Sequence, residues 1–387
     1  MENESAIRRH KRVYALAHKF APGIALKKYN FQKNGEVPDE EYPFLILANH
    51  ATESDMIMVG SVCKKFPYFV CSEHLVRGKY GKLIVKYFDP ITEKKGAPAS
   101  ATVREIIRRL KAGFNIILFP EGSRSFNGIT LPLEPSIGKL IKTAGCGLAT
   151  VKLKGGYFIA PRWAYTFRKG PASATVVRTL SPEELKTMTP QEITELINTD
   201  LYEDAYATQR ELMADYTGER LAEGLENYLF ICPRCGAYDA MQSRDDEFWC
   251  PECGLKGKYT VKGFLEGENL PYDSVADWGA WTDKRFLEDM KNKQPGELLF
   301  DEQNTVLYEV TNNHERIDLY SGNTLVYADR LICGETEFRF DEIPTMSMLN
   351  YGKTLLFVCD GKYYGLTGDR FHARKEDMLF KLFKEKK

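Results

Sequence analysis

The stretch LILANHATESDMIMVG, residues 45–60, decides how the first half of the chain is read. FLILA, residues 44–48, is apolar without alternation, the pattern of a strand buried on both faces. SDMIMVGSV, from Ser54, begins a helix, so His50 falls at a strand-to-helix turn and Asp55 in or near the first helical turn. A carboxylate five residues on can fold back across such a turn and hydrogen-bond one imidazole nitrogen, leaving the other to take a proton from a hydroxyl. This is the His-Asp half of a triad without a protein nucleophile, suited to direct attack by a substrate hydroxyl on an activated acyl group. The alternative is an isolated loop histidine and an aspartate placed only by the helix dipole.

Outward from this stretch, short apolar runs alternate with helical patterns from about Glu41 to Ser181. YFVC, NIILF and ATVKL read as further buried strands. SATVREIIRRLKAG places Val103, Ile106, Ile107 and Leu110 on one helical face and ends at Gly113. The alternation predicts an α/β domain with a mixed or parallel sheet flanked by helices. SPEEL and TPQEI each offer a hydroxyl cap followed by proline, the signature of a helix start.

A second block follows another buried strand. In NIILFPEGSRS, the residues Glu121, Gly122, Ser123, Arg124 and Ser125 form a polar strand-end loop able to hold an anionic, polyhydroxylated ligand. Arg124 offers a fork of donors to phosphate oxygens; Ser123, Ser125 and the backbone around Gly122 can complete the contact. Glu121 either accepts from a glycerol hydroxyl or anchors the loop.

NHATESD followed by FPEGSRS resembles the glycerolipid acyltransferase family, whose best-known members acylate lysophosphatidic acid. The resemblance covers about residues 40–180. It implies that His50 is the general base, Asp55 its orienting partner, and Glu121, Gly122, Ser123, Arg124 and Ser125 the binders of a glycerol phosphate acceptor. It also implies a fatty acyl thioester donor, on coenzyme A or acyl carrier protein, and a lysophosphatidate or related lysolipid acceptor. Two blocks depart from the family pattern. KYFDPITEKKG has Pro90 after Asp89 where an arginine is common, with Lys94 or Lys95 as stand-ins or plain surface residues. YFIAPRWAY has Arg162 where an apolar residue is usual. A different acceptor, or a non-catalytic lipid- or partner-binding adaptor, are the rival readings.

CPRCG and CPECG place Cys232, Cys235, Cys250 and Cys253 in two tight pairs. Four thiolates at this spacing suit a closed tetrahedral structural Zn2+ site in a zinc ribbon. Ribbons often meet nucleic acid, but Asp239, Asp245, Asp246 and Glu247 oppose phosphate, so no nucleic acid is expected. Beyond it, VLYEV, RIDLY, TLVYA, FRF, LLFVC and YYGL read as short strands, with turns at Ser321-Gly322 and Asp360-Gly361. KEDMLFKLFKEKK closes the chain as an amphipathic helix. A meander ending in one helix is a small β-rich domain of possible pleckstrin-homology type.

The 387 residues thus divide into a basic amphipathic arm (1–30), an acyltransferase domain (31–225), a zinc ribbon (226–265) and a β-rich C-terminal domain (290–387). The formal net charge is −1, yet the arm concentrates Arg8, Arg9, Lys11, Arg12, Lys19, Lys27 and Lys28 against only Glu2 and Glu4. Its Val13, Leu16, Ala17, Phe20 and Ile24 recur at helical spacing until Pro22-Gly23 interrupts. Such a stripe suits an anionic bilayer surface, or packing on the catalytic domain. The aromatic-basic stretch LKGGYFIAPRWAYTFRKG is a second membrane candidate, or a half-buried strand. No run of apolar residues is long enough to span a bilayer, no secretory signal opens the chain, and the cysteine pattern is not a disulfide framework. A cytoplasmic protein peripheral to the membrane is the expectation.

Overall fold

The computed structural model describes residues 4–25, 30–73, 76, 81–93, 100–133, 135–311 and 315–386. The chain forms two compact units, Met1–Pro161 with Phe167–Thr217, and Arg162–Thr166 with Gly218–Lys387. The cysteine pairs and the β-rich segment therefore share one unit.

The first unit is built on seven strands: β1 (Phe31–Asn34), β2 (Phe44–Ala48), β3 (Pro67–Ser72), β4 (Ile91–Glu93), β5 (Asn115–Leu118), β6 (Gly147–Lys154) and β7 (Ala172–Leu180). Their order is β1-β7-β6-β2-β5-β3-β4. All neighbours are parallel except β6 and β7, so the sheet is mixed. Helices α1 (Glu4–Ala25), α2 (Asp55–Ser61), α3 (Gly81–Phe88), α4 (Ser100–Lys111), α5 (Ile137–Ala144), α6 (Gly156–Ile159), α7 (Pro182–Thr187), α8 (Pro190–Leu201) and α9 (Ala205–Leu212) complete it.

All five residues of β2 are buried, which explains its unbroken apolar run. Leu45 and Leu47 join Ile106 and Leu110 of α4, Ile137 and Ile141 of α5, and Ile193 and Ile197 of α8 in one core. By strand alternation Ile46 and Ala48 point to the other face. Helices α7 and α8 begin with the reciprocal boxes Ser181/Glu184 and Thr189/Glu192, each followed by proline.

Helix α1 runs on through Pro22-Gly23 to Ala25, past the expected interruption, with only about one turn left beyond the proline. Tyr14 donates to the carbonyls of Gly60 (2.8 Å) and Cys63 (3.1 Å), and His10 is buried beside the Tyr68 hydroxyl. Leu16 is exposed. The side chains of Ala17, Phe20 and Ile24, and residues Lys94 and Lys95, lie outside what is described.

The aromatic stretch after Lys154 is not a strand. Tyr157, Phe158 and Ile159 form the short buried α6, and Trp163 is fully buried within the second unit, edge-on to Tyr259. Arg162 donates to the carbonyl of Met348 in that same unit.

In the second unit, β8 (Gln242–Arg244), β9 (Glu247–Trp249), β10 (Lys256–Tyr259) and β11 (Leu265–Glu266) form an antiparallel sheet, followed by α10 (Val275–Met290). Then come β12 (Leu298–Val310), β13 (Arg316–Tyr327), β14 (Arg330–Cys333), β15 (Thr336–Arg339), β16 (Met346–Leu349), β17 (Thr354–Cys359), β18 (Lys362–Gly368) and α11 (Ala373–Glu385). These strands make one antiparallel sheet in the order β15-β14-β13-β12-β18-β17-β16. Asp360 and Gly361, both at positive φ, turn β17 into β18 as expected. Ser321-Gly322 does not turn. Both lie inside β13 next to a register shift, where a side chain at 322 would strike the Tyr320 ring. Lys375 of α11, wholly buried, pairs with Asp239 of the first cysteine turn and with Glu302 of β12 (2.6 Å).

Candidate active site

Strands β6, β2 and β5 are parallel neighbours, so the residues leaving their carboxyl ends meet at one edge of the sheet. That brings Leu153–Gly156, Asn49–His50 and Phe119–Glu121 together although about a hundred residues separate the first from the second.

The His-Asp pair forms as expected. Asp55, the first residue of α2, is fully buried. Its Oδ2 accepts from Nδ1 of His50 at 2.8 Å and from the backbone N–H groups of Ala51 (2.7 Å) and Thr52 (2.9 Å). Its Oδ1 accepts from the Thr52 hydroxyl at 3.2 Å. A carboxylate held by this many donors cannot swing, and through it the imidazole is held as well. The other face of the ring stacks on Phe119, with centroids 4.2 Å apart and planes 20° apart. With Nδ1 committed, Nε2 is the nitrogen that accepts no bond from any described residue. The imidazole is about 23% exposed, enough for a substrate to reach it.

Three residues outside the expected pair fix this turn. Asn49 makes a two-way amide clamp: Nδ2 donates to the Leu153 carbonyl (2.9 Å) and Oδ1 accepts the Leu153 N–H (2.7 Å). It welds the end of β2 to the end of β6. Gly156 faces Thr52 so closely that a Cβ there would come within 2.9 Å of Thr52 Cγ2. Gly155, at φ +77°, would drive a Cβ into the Pro171 carbonyl. The glycine pair was visible in the sequence, inside a stretch read for its aromatics.

The FPEGSRS loop splits into an inward and an outward part. Glu121 turns inward, accepting the N–H of His50 on Oε1 (2.6 Å) and that of Leu131 on Oε2 (2.7 Å). Burial pushes its carboxyl up to about 7; the Leu131 and His50 hydrogen bonds oppose that rise and the Asp55 charge adds to it. Ser125 is also buried. Its N–H donates to the His50 carbonyl (3.1 Å), its hydroxyl to Asn127 Oδ1 (3.0 Å), and the Gly128 N–H donates back to it (2.9 Å). Both residues thus build the loop from within. Gly122, at φ +66°, has open space where a side chain would stand. Ser123 follows it, and Arg124 Nη1 lies 3.4 Å from Glu53 Oε1 in the loop after His50. Asn49, His50, Glu121, Ser125, Gly156 and Glu203 line a narrow pocket at this edge.

Residues 28–154 match the family model Acyltransferase. This segment matches an acyltransferase domain. It marks the protein as an acyltransferase, and both sequence blocks lie inside the matched span. Among solved structures, the chain is similar to the 1-acyl-sn-glycerophosphate (LPA) acyltransferase PlsC from Thermotoga maritima. That match has 20% identity, covers 56% of this chain and 86% of that one, and has a TM-score of 0.45. No curated protein matches the chain.

In the second unit the Sγ atoms of Cys232, Cys235, Cys250 and Cys253 all lie within 4.8 Å of one another. Cys232 and Cys253 are 3.6 Å apart, Cys235 and Cys250 3.8 Å. Zinc–sulfur bonds of about 2.3 Å in a tetrahedron put sulfurs about 3.8 Å apart, so the four thiols fit the ion. Gly236 and Gly254, both at positive φ, close the two turns by donating to the carbonyls of Cys232 and Cys250.

Proposed function

We propose that the acyltransferase moves a fatty acyl group from an acyl thioester, on coenzyme A or acyl carrier protein, to a hydroxyl of lysophosphatidate or a related lysolipid. The observation that carries this reading is the buried Asp55 carboxylate on Nδ1 of a partly exposed His50. Nε2 takes the proton of the acceptor hydroxyl as its oxygen bonds to the thioester carbonyl carbon. The tetrahedral intermediate expels the sulfur, and the imidazolium returns the proton to the thiolate. No acyl-enzyme forms, because no serine or cysteine nucleophile is needed. Gly122, Ser123 and Arg124 meet the acceptor's polar head, while Glu121 and Ser125 shape the loop that presents them.

The cysteine cluster holds a structural Zn2+, since four thiolates fill a tetrahedron and leave no open position. The seven-stranded order with a closing helix supports a pleckstrin-homology-like reading of residues 290–387. A lipid acceptor requires contact with a bilayer, and no helix among the described residues is long and apolar enough to cross one. The exposed Leu16 of α1, with Leu83 and Val85 exposed on α3, supports peripheral binding beside Arg8, Lys11 and Arg12. A role in phospholipid biosynthesis on the cytoplasmic side follows from this reading.

The test is transfer of labelled acyl groups from acyl-CoA and from acyl carrier protein to a panel of lysolipids, with His50→Ala alongside. Product lost in the variant is the expected result. Turnover that survives the substitution removes His50 as the base, and no product with any acceptor favours an adaptor.

A further inference from the structure

Glu203 is a buried carboxylate outside the matched span, and it lines the His50 pocket. It stands between α8 and α9. Its backbone is fixed by Thr130, whose N–H donates to the Glu203 carbonyl (2.9 Å) and whose hydroxyl oxygen accepts the Glu203 N–H (2.8 Å). The cap of α9 is the neighbouring Asp204, which accepts from the N–H groups of Tyr206 and Ala207. The cap of the helix therefore does not need the Glu203 side chain.

The two oxygens of that side chain are held differently. Oε1 accepts from the Thr208 hydroxyl at 2.7 Å. Oε2 lies 3.8 Å from Lys154 Nζ, too far for a hydrogen bond, and no described residue donates to it. Glu203 also borders a second cavity of about 170 Å³, shared with Lys154, Phe158, Leu212 and Tyr216. Gly155, Glu203 and Ala205 belong to both walls. The Oε2 oxygen faces two adjoining cavities with acceptor capacity left beside its Lys154 ion pair, so it can receive a donor that arrives from outside the chain. Burial raises its carboxyl above the ordinary range, against the Thr208 hydrogen bond and the charges of Lys154 and Lys152.

We propose that Glu203 selects the acceptor by receiving a hydrogen-bond donor, a hydroxyl or an ammonium, that the acceptor's polar head carries besides the hydroxyl being acylated. The inference rests on lysolipid acyl transfer at His50 and narrows its substrate class. A head group ending in a bare phosphate monoester brings like charge and, once fully ionised, no donor. A glycerol or ethanolamine head supplies one. Buried polar groups left unpaired by the wrong substrate discriminate strongly, which is how one carboxylate can set specificity.

Turnover and equilibrium binding are measured with lysophosphatidate, lysophosphatidylglycerol and lysophosphatidylethanolamine on the wild type, Glu203→Gln and Glu203→Ala. The wild type is expected to prefer the two donor-bearing heads. Glu203→Ala is expected to lower that preference, as a ratio of kcat/KM values against lysophosphatidate, by about ten- to hundredfold. Glu203→Gln keeps an acceptor oxygen, so it should retain the hydroxyl head and lose the ammonium head. An equal loss on all three lipids, or no change on any, overturns the assignment while lysolipid transfer stands. Glu203-dependent binding without any turnover keeps the assignment and sinks the reaction. Neither binding nor turnover sinks both.

Discussion

The backbone N–H of His50 donates to the Glu121 carboxylate at 2.6 Å, so the motif glutamate reaches the proposed catalytic base through the main chain. With its second oxygen on Leu131, Glu121 spans the two loops at the sheet edge. What happens to this carboxyl as pH changes is therefore felt at the His50 turn.

Glu121 titrates near 4.5 in an unfolded chain and at about 7 here. Between those values the native state binds the more protons, so its stability falls as pH rises, with the whole penalty present above about pH 7 and none below about pH 4.5. A gap of this size is worth about 3 kcal/mol. Denaturant midpoints of the wild type and Glu121→Gln from pH 4.5 to 8 should show the wild type losing about that much relative to the variant. A difference that does not move with pH would contradict the buried acid.

Asp55→Asn keeps the shape but puts an amide where Nδ1–H, Ala51 and Thr52 donate. The imidazole loses its fixed tautomer, and turnover should fall by about 10³- to 10⁴-fold, as in other His-Asp pairs. KM should change much less, because Asp55 is buried beneath the ring. Steady-state kinetics separates the two; a loss confined to KM would assign Asp55 to binding.

Gly156→Ala adds one methyl against Thr52 Cγ2 at 2.9 Å, in a turn whose other side is the buried Asp55. Overpacking of this kind costs about 1–3 kcal/mol. The melting temperature and turnover should both drop, with turnover hit harder because the displaced atoms orient His50. A variant as stable and active as the wild type would show that α6 yields freely.

Trp278 donates its indole N–H to the carbonyl of Ile231, next to Cys232, and is fully buried. Stripping the metal with a chelator should release one zinc per chain and shift Trp278 fluorescence to the red. Cys250→Ser should do the same without chelator. A chain that contains no metal and keeps its emission under chelator would leave the thiols as plain packing.

Much of the acyltransferase domain was legible because β2, β5 and β6 are buried on both faces and carry their apolar runs openly. The His50–Asp55 contact was legible because it is local, closing over five residues. Glu121 was not. Its partners are backbone groups of His50 and Leu131, and a backbone donor leaves no mark in the sequence. Asn49 acts across the strand ends and Glu203 meets Thr130 from a distant loop, neighbours that only the fold makes. Ser321-Gly322 misled because glycine serves a register shift inside a strand as well as it serves a turn. On α1 the polar ends of Tyr14 and His10 make contacts that the apolar stripe did not announce.

The excursion Arg162–Thr166 has a further consequence. The chain crosses between its two units three times, not once, and the middle visit leaves Trp163 in the core of the second. A polypeptide ending at Thr217 would contain every residue of the first unit and yet present an orphaned indole to solvent. Separating the two units along the chain therefore takes more than one cut.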